Sequence, residues 1–322
     1  MYLLELVGTD DALAAAEAST RASGVERIAP ALALAESIDD RVGDLALTHR
    51  FGALVARCEA GTDAAAAALD RALPADPDRS GTVAVRARTI GDTSVDTQAV
   101  ERRLGSHLVD RGFGVDLDAP DHELRAVFSG DRGAIAWLAG DLDRPVASRA
   151  PTDRPFFRPG CMDPTLARAL ANLAGARPGR TVLDPMCGTG GLLIEARRVG
   201  ARAIGTDVDR TMAAGAAENL AAVDDEGWII VRGDATRLPA SAVDGVLVDV
   251  PYGRQTRVAS RDIETLVEAA IAEAHRVAPR AVLVADRSYT EQVRGQGWTV
   301  DFRVERRVHR SLVRHVHVLD RA

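Results

Sequence analysis

Thr181-Val182-Leu183-Asp184-Pro185-Met186-Cys187-Gly188-Thr189-Gly190-Gly191 is the stretch whose reading decides the fold. An apolar strand runs into an acid and then a glycine-rich turn that opens a helix. This is how a parallel α/β sheet receives an adenosine-containing ligand. Gly188, Gly190 and Gly191 let the backbone turn tightly and approach a ligand where a Cβ would clash. About sixty residues later, Asp249-Val250-Pro251-Tyr252-Gly253 puts a carboxylate, a turn-forming proline and an aromatic ring at another strand end. The first stretch reads as a cofactor site and the second as a site for a planar amine.

Outward from these motifs, strand and helix alternate. A helix over 162–175 precedes strands at 181–184, 203–207, 228–232, 243–249 and 280–285, with helices at 191–199, 210–222 and 263–278 between them. The pattern predicts a doubly wound parallel sheet with helices on both faces, Rossmann-like in class. Segments 299–304 and 313–319 alternate as two further strands suited to an antiparallel edge. Two more acids stand where a nucleoside needs them. Asp207 closes the second strand 23 residues beyond Asp184, the spacing that offers a carboxylate to ribose hydroxyls. Asp234, followed by Ala235, ends the third strand, within reach of an adenine exocyclic N–H. Three carboxylates on one sheet edge favour a neutral or cationic nucleoside over a pyrophosphate, which disfavours a dinucleotide.

Asp184, Cys187, Gly188, Thr189, Gly190, Asp207, Asp234, Ala235 and the Asp249–Gly253 run resemble the motifs of class I S-adenosylmethionine-dependent methyltransferases, in the branch that acts on exocyclic amines. The resemblance implies that these residues, Asp249 included, bind S-adenosyl-L-methionine. Asp249, Pro251 and Tyr252 are then the catalytic set. An exocyclic amine is a poor nucleophile because its lone pair is delocalised into the ring. A catalyst helps by accepting hydrogen bonds from both N–H groups, here through the Asp249 carboxylate and the carbonyl of Val250 or Pro251. Tyr252 offers a ring on which the base stacks. Arg254 is read either as a contact to substrate phosphate or base, or as a solvated loop arginine.

Upstream, the run from Arg154-Pro155-Phe156-Phe157-Arg158-Pro159-Gly160 to Arg168 resembles the segment before the catalytic domain in tRNA methyltransferases that carry an RNA-binding THUMP domain. The similarity extends back through 83–88, 117–121 and 127–136. It implies a ferredoxin-like α+β domain at 1–60, a THUMP domain at 61–145, a linker at 146–160 and the methyltransferase domain at 161–322. Asp rather than Asn at position 249 is the pattern of the archaeal tRNA guanine-10 N2-methyltransferases. The implied activity is mono- and then dimethylation of guanine N2 at tRNA position 10, with tRNA as partner and Arg86 and Arg88 among its contacts. Val250 stands where the family frequently has proline, at a position expected to contribute its backbone. The alternatives are N2 methylation at tRNA position 6 or on ribosomal RNA, and a non-catalytic RNA-binding protein that retains the fold.

Composition bounds the rest. In 322 residues, 46% hydrophobic content with only 4% aromatics predicts a core built from Ala, Val and Leu. All 40 basic residues are Arg, and the 47 acids divide into 32 Asp and 15 Glu, for a net charge of −7. This balance is expected of a haloarchaeal chain, since concentrated salt screens the repulsion among surface acids. A GC-rich genome would also favour Arg over Lys. Three scattered cysteines, Cys58, Cys161 and Cys187, indicate neither a disulfide framework nor a metal site. The amino terminus lacks a basic leader before an apolar stretch, and no apolar run reaches membrane-spanning length. The expectation is a cytoplasmic protein with no metal and no membrane contact. Nothing in the sequence calls for a protein partner.

Overall fold

The computed structural model describes residues 1–73, 79–142, 145–251, 260–309 and 312–321. The chain divides into two units, Met1–Asp143 and Arg144–Ala322.

The first unit runs β1 (Tyr2–Leu6), α1 (Asp11–Ala18), β2 (Ala22–Ser23), β3 (Glu26–Ala29), β4 (Leu32–Ala35), β5 (Ser37–Ile38), β6 (Thr48–Glu59), α2 (Thr62–Ala72), β7 (Thr82–Ile90), α3 (Thr97–Val109), β8 (Gly114–Val115), β9 (His122–Ser129) and β10 (Arg132–Asp141). Eight strands form one mixed sheet in the order β3-β4-β1-β6-β10-β9-β7-β8, while β2 and β5 pair separately. The 12-residue β6 is antiparallel to β1 on one side and to β10 on the other. The domain boundary expected at residue 60 therefore falls within a continuous sheet, because one long strand serves both halves. Helices α2 and α3 cover this sheet through Ala65, Leu69, Val100, Leu104 and Leu108, which pack on Val83, Leu124 and Ile135. The four-residue spacing of Val100, Leu104 and Leu108 gives α3 its apolar stripe.

Two stretches fold differently from what their local sequence suggests. The apolar run 28–34 reads locally as a single strand but is a hairpin, broken at Pro30-Ala31, where Ala31 adopts φ +58°. The Asp11 carboxylate accepts a hydrogen bond from the Ala31 N–H at 2.8 Å and so satisfies the turn. Residues 39–45 read locally as a helix but form only a short 3-10 turn, Val42–Asp44.

The second unit runs α4 (Pro164–Leu173), β11 (Thr181–Asp184), α5 (Gly191–Arg198), β12 (Arg202–Asp207), α6 (Arg210–Ala221), β13 (Trp228–Arg232), β14 (Gly245–Asp249), α7 (Ser260–Val277), β15 (Arg280–Ala285), α8 (Thr290–Gly295), β16 (Trp298–His309) and β17 (Leu312–Arg321). Its sheet has the order β13-β12-β11-β14-β15-β17-β16. The pairings among β11 to β15 are parallel. The expected antiparallel strands are present, with β17 inserted between β15 and β16. Adjacent residues of β12 serve different cores, as period-two alternation requires. Ala203 joins Leu193, Ile194, Ala216 and Leu220 of α5 and α6, whereas Ile204 packs with the cluster that holds Val267 and Ile271 of α7. Strand order reverses between β11 and β14, so their carboxyl ends flank the crevice in which open α/β sheets bind ligands.

The segment 146–160, expected as a linker, is packed against the second unit. The buried Asn219 side chain accepts from the Phe156 N–H and donates to the Phe156 carbonyl, both at 2.8 Å. The Phe156 ring fills the space beside Gly215, where a Cβ would meet it at 2.0 Å. Proline, arginine and aspartate give this segment a connector's composition. The backbone N–H and carbonyl of Phe156 within it are nevertheless satisfied by a helix about sixty residues downstream.

Candidate functional site

The carboxyl ends of β11 and β14 open into a cavity of about 180 Å³. Asp184 and Asp249 line it from the two strands, and Cys187, Gly188 and Thr189 line it from the loop after β11. Met212 of α6 and the run Arg158–Met162 complete the wall. The two motifs singled out in the sequence thus meet in one cavity.

Asp184 is buried, with its Oδ1 accepting from the Met186 N–H at 3.0 Å. Burial raises its pKa well above the ordinary carboxylate range, and the charges of Asp249 and Asp207 add to the rise. Asp207 does not line the cavity wall but braces its loop. Its carboxylate accepts from the Gly188 N–H and the Asp209 N–H, each at 2.9 Å. Burial raises the pKa of Asp207 too, against the lowering effect of those two bonds.

The loop itself is tied down from three sides. The Cys187 N–H donates to the Thr206 carbonyl at 2.9 Å, and the Gly190 N–H donates to the Cys187 carbonyl at 2.7 Å. The Asn219 amide donates to the Thr189 carbonyl at 2.9 Å. Gly190 precedes α5 with φ +79°, and a Cβ there would meet Ala216 at 3.3 Å. Both facts favour glycine at that position. The Cys187 side chain is buried with Leu193 and Ile194, and burial pushes its thiol pKa up. Cys187 therefore shapes the wall as a neutral side chain and not as a thiolate.

The other expected residues lie further out. Asp234 is exposed, with Oδ1 accepting from the Thr236 N–H and hydroxyl at 2.9 and 2.8 Å, while Ala235 beside it is buried. Neither is part of the cavity wall. Pro251 is half-buried directly after Val250, whose N–H bonds the Val284 carbonyl at 2.9 Å. Tyr252 and Arg254 lie outside the described residues. Arg86 and Arg88 belong to the first unit. There Arg86 donates to the Leu117 carbonyl at 2.5 Å, and Arg88 lies 3.9 Å from Glu5.

Sequence reasoning did not assign Arg158, Gly160, Cys161, Met162 or Met212 to the site. The Cys161 thiol donates to the Arg158 carbonyl at 2.9 Å and lies 3.3 Å from the Thr189 hydroxyl, linking this run to the glycine loop. The signal was present in the Phe-Arg-Pro-Gly-Cys run, but nothing local placed it beside a loop thirty residues away.

The wall chemistry fits S-adenosylmethionine. Two carboxylates suit a ligand with positive centres, and the exposed Arg158 adds a cation to the cavity wall. Met162, Met186 and Met212 line the cavity with soft apolar surface. Among the described residues, no group of three or more His, Cys, Asp or Glu side chains is placed to hold a metal ion, and no helix is long and apolar enough to cross a membrane.

A family model described as the RMKL-like methyltransferase domain (UPF0020) matches residues 151–315. The chain belongs to this methyltransferase family. It is 35% identical over 246 residues to the tRNA (guanine(10)-N2)-dimethyltransferase of Methanothermobacter thermautotrophicus, a match that covers 74% of this chain and 73% of the relative. It is also 34% identical over 224 residues to the tRNA (guanine(6)-N2)-methyltransferase of Thermus thermophilus, covering 65% of this chain and 64% of that one. The crystal structure of TrmN from Thermus thermophilus superimposes with a TM-score of 0.52 at 25% identity, over 100% of this chain and 99% of that chain. The match begins at residue 151, so this methyltransferase family includes most of the docked segment in its domain. The family resemblance read from the motifs is thus met by identity over most of the chain.

Proposed function

We propose that this enzyme transfers methyl groups from S-adenosylmethionine to the exocyclic N2 of guanine 10 in tRNA, one and then a second. The observation that carries this reading is the convergence of Asp249 with Asp184 and the glycine loop on one cavity. S-adenosylmethionine, when bound, supplies a methyl group activated by its sulfonium centre. In this reading Asp184, Gly188 and Thr189 hold the amino-acid part, with Arg158 against its carboxylate. Asp207 presents its carboxylate to the ribose, already oriented by the Gly188 and Asp209 N–H groups. Asp234 and Ala235 flank the adenine.

Asp249 accepts a hydrogen bond from the guanine amine, and a backbone carbonyl at Val250 or Pro251 accepts the other. Together they turn the nitrogen lone pair out of conjugation and stabilise the positive charge that grows on nitrogen as it is methylated. Tyr252 stacks on the base, and the first unit, in its THUMP part, holds the tRNA. Identity to a guanine-10 enzyme and Asp at position 249 favour position 10. The guanine-6 relative keeps position 6 as the second reading.

The test is to incubate unmodified tRNA transcripts with labelled S-adenosylmethionine in high salt and map the product. Methyl label on N2 of guanine 10 is the expected result. Label at guanine 6 selects the second reading, and absence of label on any guanine overturns both.

A further inference from the structure

Glu195 of α5 is 1% exposed, and three arginines converge on its carboxylate. Arg168 of α4 is the close partner at 2.7 Å and is itself buried. Arg149 contacts it at 3.2 Å from the docked segment, and Arg198 stands at 3.8 Å one turn along α5. Arg154 lies close enough to Arg198 to repel its charge. The Arg154 Nη1 has no hydrogen-bond partner among the described residues, and it approaches within 3.2 Å of where a Cβ of Gly191 would stand. Gly191 lines the cavity.

One carboxylate is matched by one close arginine, so Arg149, Arg154 and Arg198 are in surplus. The surplus stands in a chain whose 47 acids outnumber its 40 arginines, where an acid to neutralise it was readily available. Burial and the neighbouring arginines together lower the pKa of Arg198, against the pull of Glu195, so the cluster is electrostatically costly as it stands. The side chains of Arg149 and Arg198 are 27% and 35% exposed, open enough to meet a large ligand from solvent. A guanidinium is suited to a phosphate because its planar fork donates two parallel hydrogen bonds.

We infer that Arg149, Arg154 and Arg198 form a phosphodiester-binding site on the catalytic unit, beside the cavity, which holds the RNA backbone next to the nucleotide being methylated. The inference rests on the RNA-methylating reading above and adds a contact surface outside the first unit. A phosphate there meets Arg149 and Arg198 from solvent and supplies the missing anion for the cluster, with the charge of Arg154 behind them. Glu195 and Arg168 form the base that positions them.

The experiment measures binding of unmodified tRNA to the full-length enzyme across a potassium chloride series. It compares the parent with Arg198→Gln, the double variant Arg149→Gln/Arg198→Gln, and Arg202→Gln. Arg202 is exposed at the start of β12, is not among the arginines that contact Glu195, and provides the same change of net charge. Cofactor affinity is measured in each protein as the control for folding. Each lost phosphate contact should lower the slope of log affinity against log salt by roughly 0.7 to 0.9, and the double variant by roughly twice that. Arg202→Gln should keep the parent slope. A parent slope in Arg198→Gln and in the double variant overturns the assignment, as does an equal fall in Arg202→Gln. If the parent methylates no guanine yet the slope still falls only in the cluster variants, the phosphate site stands and the methylation reading fails.

Discussion

In the first unit, Glu5 of β1 and Arg125 of β9 are both buried and hydrogen-bonded to each other, with a second Arg125 nitrogen on Glu123 at 2.8 Å. In the second, Asp184, Asp207 and Asp249 gather at neighbouring strand ends, with two of the three pushed toward their neutral forms. Burial lowers the pKa of Arg125, but its bond and charge contact with Glu5 reverse the direction and hold the guanidinium in its charged form. The contrast teaches what buried charge is for. A charge that meets its partner within the sheet is structure. Like charges assembled where strands end hold a place for a ligand of opposite sign, at a standing cost to the protein without it.

The largest effect is expected at Asp249. Asp249→Ala should reduce methyl transfer by roughly two to four powers of ten, the scale of losing one preorganised electrostatic partner or base. Cofactor affinity should change little, because the interaction grows only as charge develops on nitrogen. Single-turnover rates with saturating tRNA measure this, and a parent rate in Asp249→Ala removes the catalytic assignment. Asp249→Asn, which keeps an accepting oxygen but loses the charge, should fall between.

The balanced pair gives the next largest effect, on stability and not on rate. Arg125→Met leaves Glu5 buried without its main partner and should cost about 3–5 kcal/mol in denaturant unfolding. Replacing both members, as in Glu5→Gln/Arg125→Met, should restore much of that loss. If the single variant unfolds like the parent, the pair is not the structural element described.

Gly190→Ala should be milder. A side chain at φ +79° costs roughly 1–2 kcal/mol, and Ala216 must also give way. Cofactor affinity should fall with stability, since the loop is displaced.

Asp184→Asn should have the smallest effect on the ligand-free protein, and with the opposite sign. The folded-state pKa of Asp184 is raised, so its contribution to stability is full below the ordinary carboxylate range and is lost as pH rises through the raised value. Asn imitates the protonated form and keeps an oxygen for the Met186 N–H. The melting temperature of the variant should match the parent in acid and exceed it progressively as pH rises through that window, while cofactor affinity falls. A constant difference across pH would mean that Asp184 does not titrate in this way.

Much of the second unit was legible because its signals are local. Strand β11, the glycine loop and α5 follow from neighbouring residues, and Asp207 and Asp249 from their places at the ends of apolar runs. The first unit was less legible. The hairpin at Pro30-Ala31 depends on Asp11 from another element, and the continuity of its sheet depends on β6 pairing on both edges.

A doubly wound sheet with acids at successive strand ends could be read from the chain, since apolar runs and glycine turns are written in consecutive residues. Which of those acids share a cavity depends on how the strands pair. Asp184 and Asp249 do because β14 pairs beside β11, whereas Asp234 lies two residues past the outer strand β13 and stays exposed. The run Arg149–Met162 likewise belongs to the catalytic unit only through tertiary contacts. Its anchors, Glu195 and Asn219, are distant in sequence, and a hydrogen bond between distant residues leaves no period or spacing in the chain to be read.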